Sequence, residues 1–321
     1  MGSSADWNSY WDKLIRQKKL QQKIHDLDEV DKFENRHVTT KEICERIFWD
    51  YNDWEKDCKK IRDNLILEIG ELSGVHLHTG RIKTMDSLIV KVITKRHEWL
   101  GNNSSKYANL SVDNYKEIIT DIVGVRLILS YRGDWIDIHN EIIKRFPYLP
   151  NIDYKQLDGL VSLDHNRVIS ECPKVYHAQN DDIEEYRKQG LITKQHPMNY
   201  RSIHYTINYD KSYVELQLRT IFDEAWSDCD HRYVYKKEDN KNHEVLLKLS
   251  GILSDLTNIS SDIGDEIRRI YYDNKKEEGY IDFKRVNHDV DDVLDRLESV
   301  HNDLKKFKEH FYIKDENKGG N

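Results

Sequence analysis

The sequence predicts an α+β protein: a small mixed β-sheet in the middle of the chain, flanked by helices and extended by helices at both ends. Three observations carry this. All four prolines, Pro147, Pro150, Pro173 and Pro197, fall in the middle third, which leaves both ends free to form long helices. The near-continuous apolar run Ile122–Ser130 reads as a buried strand. Two alternating stretches, Ser202–Tyr209 and Tyr213–Arg219, flank Asp210-Lys211-Ser212 as the arms of a hairpin would.

In chain order, the charged stretch from Ala5 to about Glu34 is expected to be mostly helical. A Thr39/Thr40 cap opens a second helix to about Leu72, with Ile43, Ile47, Tyr51 and Trp54 at helical spacing. Val75–Thr79 is a short strand; Ser87–Trp99 and Val112–Thr120 are helices; Trp135–Arg145 is a helix after the apolar strand. From Ile221 the pattern is helical again. Leu246, Leu249, Ile252, Leu253 and Leu256 form one stripe, and Val290, Val293, Leu294, Leu297 and Val300 another. Such stripes demand a partner surface. The two helices are expected to pack on each other and on the central region, with a homo-oligomer interface as a further use.

Composition narrows the class. With 38% hydrophobic residues, 7 Trp and 19 Tyr, the chain can build a core. No run of 18 uncharged apolar residues and no basic-then-apolar leader occurs, so neither a membrane span nor a secretory signal is expected. Cys44, Cys58, Cys172 and Cys229 lie far apart, which suits reduced thiols and a cytoplasmic setting. A net charge of −8 advertises no general nucleic-acid field, although a local patch can act within an acidic protein.

Strand parity gathers the chemistry. Glu215, Gln217 and Arg219 point one way and Val214, Leu216 and Leu218 the other. Tyr200, Ser202 and His204 share a face, so the hairpin presents a polar wall; a solvated antiparallel face gives the same pattern. Asp121 stands at the mouth of the buried strand, where an acid needs a partner or a cation. If Asp121 and Glu215 are neighbours across the sheet, Mg²⁺ between them and substrate phosphates relieves their repulsion; a strand cap and a surface acid are the plainer readings. Lys83, Ser87 and Lys91 recur every four residues, lining one helical face as a polyphosphate site would, or as any solvated helix does. No GxxxxGK[ST] loop is present. His76 and His78 on one strand face and the lone His25-Asp26 pair are read as structural. Trp7, Trp11, Trp49 and Trp54 are read as core or interface anchors.

Taken together, Gly80-Arg81-x-Lys83-x3-Ser87-x3-Lys91, Asp121-x-x-Gly124-x-Arg126, Tyr200-x-Ser202-x-His204 and Glu215-x-Gln217-x-Arg219-Thr220 occur in the order of the RelA/SpoT synthetase family, which the sequence resembles. Trp226, Asp230-His231 and Tyr235-Lys236 are similar to the helix that follows in small alarmone synthetases. The resemblance covers roughly 72–237, leaving 1–71 and 238–321 as N- and C-terminal helical regions.

The resemblance implies a nucleotidyltransferase-like mixed sheet and a pyrophosphokinase that moves diphosphate from ATP to the 3′-hydroxyl of GTP or GDP, making (p)ppGpp with Mg²⁺. It further implies that Arg81 clamps the adenine and that Lys83, Ser87 and Lys91 hold the ATP phosphates. Asp121 and Glu215 would bind the metal, Glu215 also drawing the hydroxyl proton. Tyr200 would stack on the acceptor base and His204 contact acceptor phosphates; Arg126, Gln217 and Arg219 would be structural or supporting.

One departure concerns the acceptor. His196 stands where the family has a lysine, and Asn199 where it has glycine; Asn tolerates a left-handed backbone, and Lys194, two residues from the usual position, is the candidate replacement cation. Two further readings follow: a toxic branch that pyrophosphorylates the 3′ end of tRNA, and a non-enzymatic nucleotide-binding regulator.

Overall fold

The computed structural model describes residues 4–33, 38–100, 102, 104–148, 167–179, 181–235, 240–273 and 283–316. Its elements are α1 (Ser4–Lys18), α2 (Gln21–Phe33), α3 (Thr40–Ile69), β1 (Val75–Ile82), α4 (Met85–Glu98), α5 (Tyr115–Ile118), β2 (Val123–Leu129), α6 (Trp135–Arg145), β3 (Arg167–Ile169), β4 (Lys174–His177), α7 (Glu184–Lys188), β5 (Ile192–Gln195), β6 (Ser202–Tyr209), β7 (Ser212–Thr220), α8 (Ile221–Tyr233), α9 (His243–Asp273) and α10 (Phe283–Glu316). The expected helix end at Glu34 and the boundary after Lys237 lie outside the described residues.

The strands form one mixed sheet in the order β1-β2-β7-β6-β4-β5, with β3 on β6. β2 runs parallel to β7 and β4 parallel to β5, and the other pairs are antiparallel. The α+β expectation therefore holds. β2 is buried throughout except at Arg126, as a strand covered on both faces should be. In the β6–β7 hairpin Ser212 pairs with Tyr209, so the connection is Asp210-Lys211 alone, both at positive φ (49° and 65°). Two left-handed residues are what a tight hairpin with matching twist requires.

α3 starts at a capping box in which the Thr39 side chain accepts from the Glu42 backbone N–H while Glu42 reaches back to that of Thr39. The helix lies against β1 closely enough that a Cβ on Gly80 would sit 2.7 Å from Arg62 and Ile66. Trp7, Trp11, Ile47, Leu65, Leu88, Val125 and Leu216 belong to one continuous core, which puts the two N-terminal tryptophans inside it as anchors.

The first stretch is mostly helical as expected, with one break at Lys19, at φ 52°. Three local expectations change. The helix expected over Val112–Thr120 is one turn, because the Ser111 backbone N–H donates to Asn114 and Ile119 leaves helical geometry (φ −97°, ψ 85°). β3, β4, β5 and α7 are elements the hydropathy pattern did not announce. Finally, α9 packs on α8 and α10 as expected, but Leu246, Ile252 and Leu253 of its stripe are only half-buried. Its buried positions are Ser250, Ser254, Asn258, Ile259 and Ser261, whereas Leu249, Leu256 and Ile263 are exposed. The cause is the surface beneath it: Trp226 donates to the Ser250 carbonyl, and Arg132 to Ser261 and Asp262. Those polar groups need polar partners.

Candidate active site

The paired strands place one row of side chains across the sheet. Arg81 on β1 is opposite Gly124 on β2, Gly124 beside Glu215 on β7, and Glu215 opposite Thr206 on β6. The next row runs Thr79, Arg126, Gln217, His204 and Lys174. Paired residues share a face, so the polar wall extends over five strands. A cleft lined by Gly80, Arg81, Gly124, Arg126, Glu215 and Gln217 opens on it. Gly124 makes room: a Cβ there would meet the Arg81 side chain at 3.2 Å. Arg81 crosses this gap to stand 3.8 Å from Glu215.

At one end of the wall, Lys83 and Lys91 each place Nζ 2.9 Å from Oδ2 of Asp121. The expectation that Lys83 lies on the helix with Ser87 and Lys91 is corrected. Thr84 is the N-cap of α4, extended at φ −65° and ψ 151°, and its hydroxyl accepts from the Ser87 N–H. Lys83 therefore sits in the connection before the helix, its carbonyl accepting from the Tyr51 hydroxyl at 2.5 Å, yet its ammonium reaches the same carboxylate as Lys91. Ser87 remains exposed in the first turn and accepts from Thr84 Oγ1 at 2.9 Å.

Burial works to raise the Asp121 carboxyl, but Lys83 and Lys91 outweigh it and hold it at about 2. Burial lowers the Lys83 ammonium against the pull of Asp121. Asp121 Oδ1 is buried without a hydrogen-bond partner, an acceptor in a state that calls for a donor or a cation. Among the described residues, no group of three or more His, Cys, Asp or Glu side chains assembles as a metal site. The orphaned Oδ1 of Asp121 has room in its chemistry for a cation that takes other ligands from substrate oxygens, as Mg²⁺ commonly does. Asp121 also exerts an upward push on the Glu215 carboxyl, which burial raises first; the hydrogen bond and charge of His204 outweigh both and keep it below the usual range.

At the other end stands an aromatic pocket. Tyr200 donates to or accepts from His204 Nε2 at 3.1 Å, while Nδ1 of that ring lies 3.6 Å from Glu215. Nε2 of His204 is thus engaged by Tyr200, while Nδ1 faces Glu215. Burial lowers its imidazole despite Glu215, and burial lowers His196 too. Tyr176 on β4 packs edge-on against His204 at 4.8 Å and against His196 at 6.3 Å. His196 and Tyr200 are 5.3 Å apart, and Trp226 lies 6.0 Å beyond Tyr200. Lys194 on β5 is paired with Tyr176. His196 follows the end of β5, its backbone N–H donating to the His177 carbonyl at 3.0 Å. Asn199 takes the left-handed conformation expected of it, at φ 52°.

Tyr176 escaped the sequence reading because β4 spans only Lys174–His177; its one signal was the alternation Lys174-Val175-Tyr176-His177. Arg219 connects the two ends of the wall. It donates to the Tyr200 hydroxyl at 2.7 Å and to Gln217, which in turn donates to Glu215 at 2.8 Å. A chain of hydrogen bonds therefore links the base-stacking candidate to the candidate base.

A family model described as a region found in RelA/SpoT proteins matches residues 80–240. Among solved structures, the chain is similar to small alarmone synthetase 1 from Bacillus subtilis bound to its product pppGpp, at 18% identity and a TM-score of 0.38, covering 70% of this chain and 95% of that one. It is similar to small alarmone synthetase 2 from Bacillus subtilis at 18% identity and a TM-score of 0.39, covering 69% and 99%. A GTP pyrophosphokinase family protein from Streptococcus pneumoniae matches at 16% identity and a TM-score of 0.37, covering 74% and 95%. No curated protein matches the chain.

Proposed function

This chain belongs to the RelA/SpoT family, its match spanning half of the sequence, and from that premise we propose that it is a pyrophosphokinase transferring diphosphate from ATP to the 3′-hydroxyl of GTP or GDP. The observation that carries this is the convergence of Lys83 and Lys91 on Asp121 at the end of a wall that also bears Arg81 and Glu215.

Two ammonium groups on one carboxylate are a charge store for polyphosphate. An arriving ATP offers Lys83 and Lys91 phosphate oxygens instead, with Ser87 in the exposed first turn of α4, where free N–H groups favour anions. Arg81 clamps the adenine from its place over Gly124. Asp121 and Glu215 would hold Mg²⁺ together with substrate oxygens, and the ion would supply neutralisation of the charge that develops on the transferred diphosphate. Glu215, ionised below the ordinary carboxylate range, accepts the proton of the attacking 3′-hydroxyl. Tyr200 stacks on the acceptor base, Tyr176 and His196 close the pocket, and Lys194 supplies the cation for acceptor phosphates. His204 holds Glu215 and Tyr200 in register and reaches acceptor phosphates once Tyr200 releases it. Catalysis of this kind is mostly positioning and electrostatics, which a preorganised wall provides.

The exposed Leu249, Leu256 and Ile263 on α9 and Leu294 and Leu297 on α10 support a homo-oligomer through the C-terminal helices. No helix among the described residues is long and apolar enough to cross a membrane, and the proposed setting is the cytoplasm.

Incubation with ATP labelled in its β-phosphate, Mg²⁺ and GTP, GDP or tRNA tests the reading. Label on the guanine nucleotide is expected. Label on tRNA alone would replace the acceptor, and binding without transfer to any of the three would favour a regulator.

A further inference from the structure

The residues on either side of Tyr200 are tied to one buried side chain on α9. Arg201 donates through a terminal guanidinium nitrogen to Asn258 Oδ1 at 2.6 Å, and Asn258 Nδ2 points back to the Asn199 carbonyl at 3.4 Å. One turn earlier, Ser254 Oγ donates to the Met198 carbonyl at 2.9 Å, and Asp255 accepts from the Asn199 amide at 3.2 Å. Ser254 and Asn258 are 2% and 4% exposed, so these contacts do not compete with solvent. Arg201 is fixed on its other side by Asp181, to which Nε donates at 2.8 Å.

The tie continues outward. Asp262, one turn after Asn258, lies 3.7 Å from Arg201 and receives Arg132 at 2.8 Å and Arg296 of α10 at 2.7 Å. The loop is thus held through its carbonyls and through an arginine, and Tyr200 sits within it. Among the described residues, no hydrogen bond or ion pair joins α9 to Lys83, Lys91 or Asp121, which hold one another and, through Lys83, Tyr51 and Ile122. The two ends of the wall therefore differ in what holds them.

We propose that Asn258, assisted by Ser254, is a positioning residue for the acceptor half of the site: α9 sets the loop Met198–Arg201 and with it the Tyr200 ring, and does not set the ATP half. This rests on the assignment of Tyr200 to the acceptor base. The C-terminal helices are in this view part of the specificity apparatus, and not only packing for the catalytic sheet.

The test separates the two halves kinetically. Asn258→Ala in the full chain is expected to raise the acceptor KM roughly tenfold, the worth of one hydrogen bond to a charged group, with kcat and the ATP KM within about twofold of wild type. Asn258→Asp keeps an acceptor for Arg201 and is expected to return the acceptor KM to within about threefold. Hydrogen exchange gives a readout that needs no turnover: amides of 196–201 should exchange faster in Asn258→Ala, and those of β1 and α4 should not. An unchanged acceptor KM in a folded Asn258→Ala protein overturns the proposal, as does an ATP KM that rises in step. If Asn258→Ala does not fold, Ser254→Ala takes its place with the same expected split. If the wild type transfers diphosphate to no acceptor, the functional reading fails separately, and the exchange pattern alone decides whether α9 holds the loop.

Discussion

Arg219 holds Tyr200 in two ways at once, its guanidinium carbon 5.2 Å from the ring centre and a terminal nitrogen 2.7 Å from the hydroxyl. The ring is thereby fixed in height and in tilt, and the ring is what an acceptor base would stack on. Tyr200→Phe keeps the ring but strands a guanidinium N–H and the His204 nitrogen. Unpaired buried groups cost about 1–3 kcal/mol, so a lower Tm with a near-normal acceptor KM is expected. Tyr200→Ala also loses the stack, worth about 1–3 kcal/mol per base, and should raise the acceptor KM roughly five- to a hundredfold. A wild-type acceptor KM in Tyr200→Ala would remove this residue from the site.

The carboxylates invite a sharper substitution than truncation. Asp121→Asn preserves shape but leaves Lys83 and Lys91 facing a neutral amide, and it halves the proposed metal site. Loss of one preorganised electrostatic group costs about 3–4 kcal/mol of barrier, so kcat should fall roughly a hundred- to a thousandfold, with the fold intact by circular dichroism. Glu215→Gln should do the same while removing the proton acceptor, and a chelator should silence the wild type. Turnover near normal in either variant would show that the two acids share no ion.

How much of this was legible beforehand depended on periodicity. Asp121, Glu215 and the polar face of β7 could be read because an apolar strand and a parity rule fix their direction. Lys83 was singled out by its spacing but placed on the wrong element: the Thr84 cap ends the connection, and the helix begins after it. Tyr176 and α9 were harder. Four residues of β4 are too few to show a period. On α9 the leucine stripe drew attention outward, whereas the buried positions are Ser250, Ser254, Asn258, Ile259 and Ser261, four of them polar to suit the carbonyls and arginines below. Hydropathy does not report the hydrogen bonds by which such a helix docks.

That docking makes the C-terminal helices necessary to the rest. Ending the chain after Lys241 removes the Ser250 carbonyl that accepts from Trp226 at 2.9 Å and uncovers Trp226, which is 5% exposed. It also leaves Arg132 and Arg201 without Asp262. Buried charges that lose a partner are costly, about 3–5 kcal/mol. The truncated protein should aggregate or melt well below the full chain in differential scanning fluorimetry; equal solubility, melting and activity would make the arm dispensable.

Acid sensitivity should begin in the histidine range. His139, His196 and His204 are all lowered by burial from the ordinary value near 6.5. Below that value the unfolded chain binds protons that the folded protein refuses, so the stability they contribute is complete above it and is lost as pH falls towards the folded values. Tm should therefore drop on going from pH 7 to 5, before carboxylates titrate. His139, whose Nδ1 lies 2.9 Å from the Tyr205 hydroxyl, allows a check away from the site: His139→Gln should flatten part of this slope. An unchanged slope would trace the acid limb to other groups.

The acceptor itself can be decided at Lys194 and His196. The family lysine is replaced by a histidine that burial keeps neutral, so any cation for an acceptor phosphate must come from elsewhere. Lys194 is exposed and paired with Tyr176 across β4 and β5, at the parity that faces the pocket. If GTP or GDP is the acceptor, Lys194→Ala should raise its KM roughly ten- to a hundredfold, as a charge-assisted contact of about 1.5–3 kcal/mol implies. His196→Lys should restore much of that loss in the double variant, although it disturbs the packing of His196 on Tyr176. A tRNA acceptor behaves differently. Its terminal nucleotide carries a phosphodiester, its affinity is spread over many phosphates, and binding falls steeply with salt. Lys194→Ala would then change KM little, His196→Lys would not compensate, and raising salt would do what neither substitution does. Acceptor KM against salt for the wild type, Lys194→Ala and the double variant thus separates a free guanine nucleotide, with a shallow salt slope and a large single-site effect, from a nucleic acid, with the reverse.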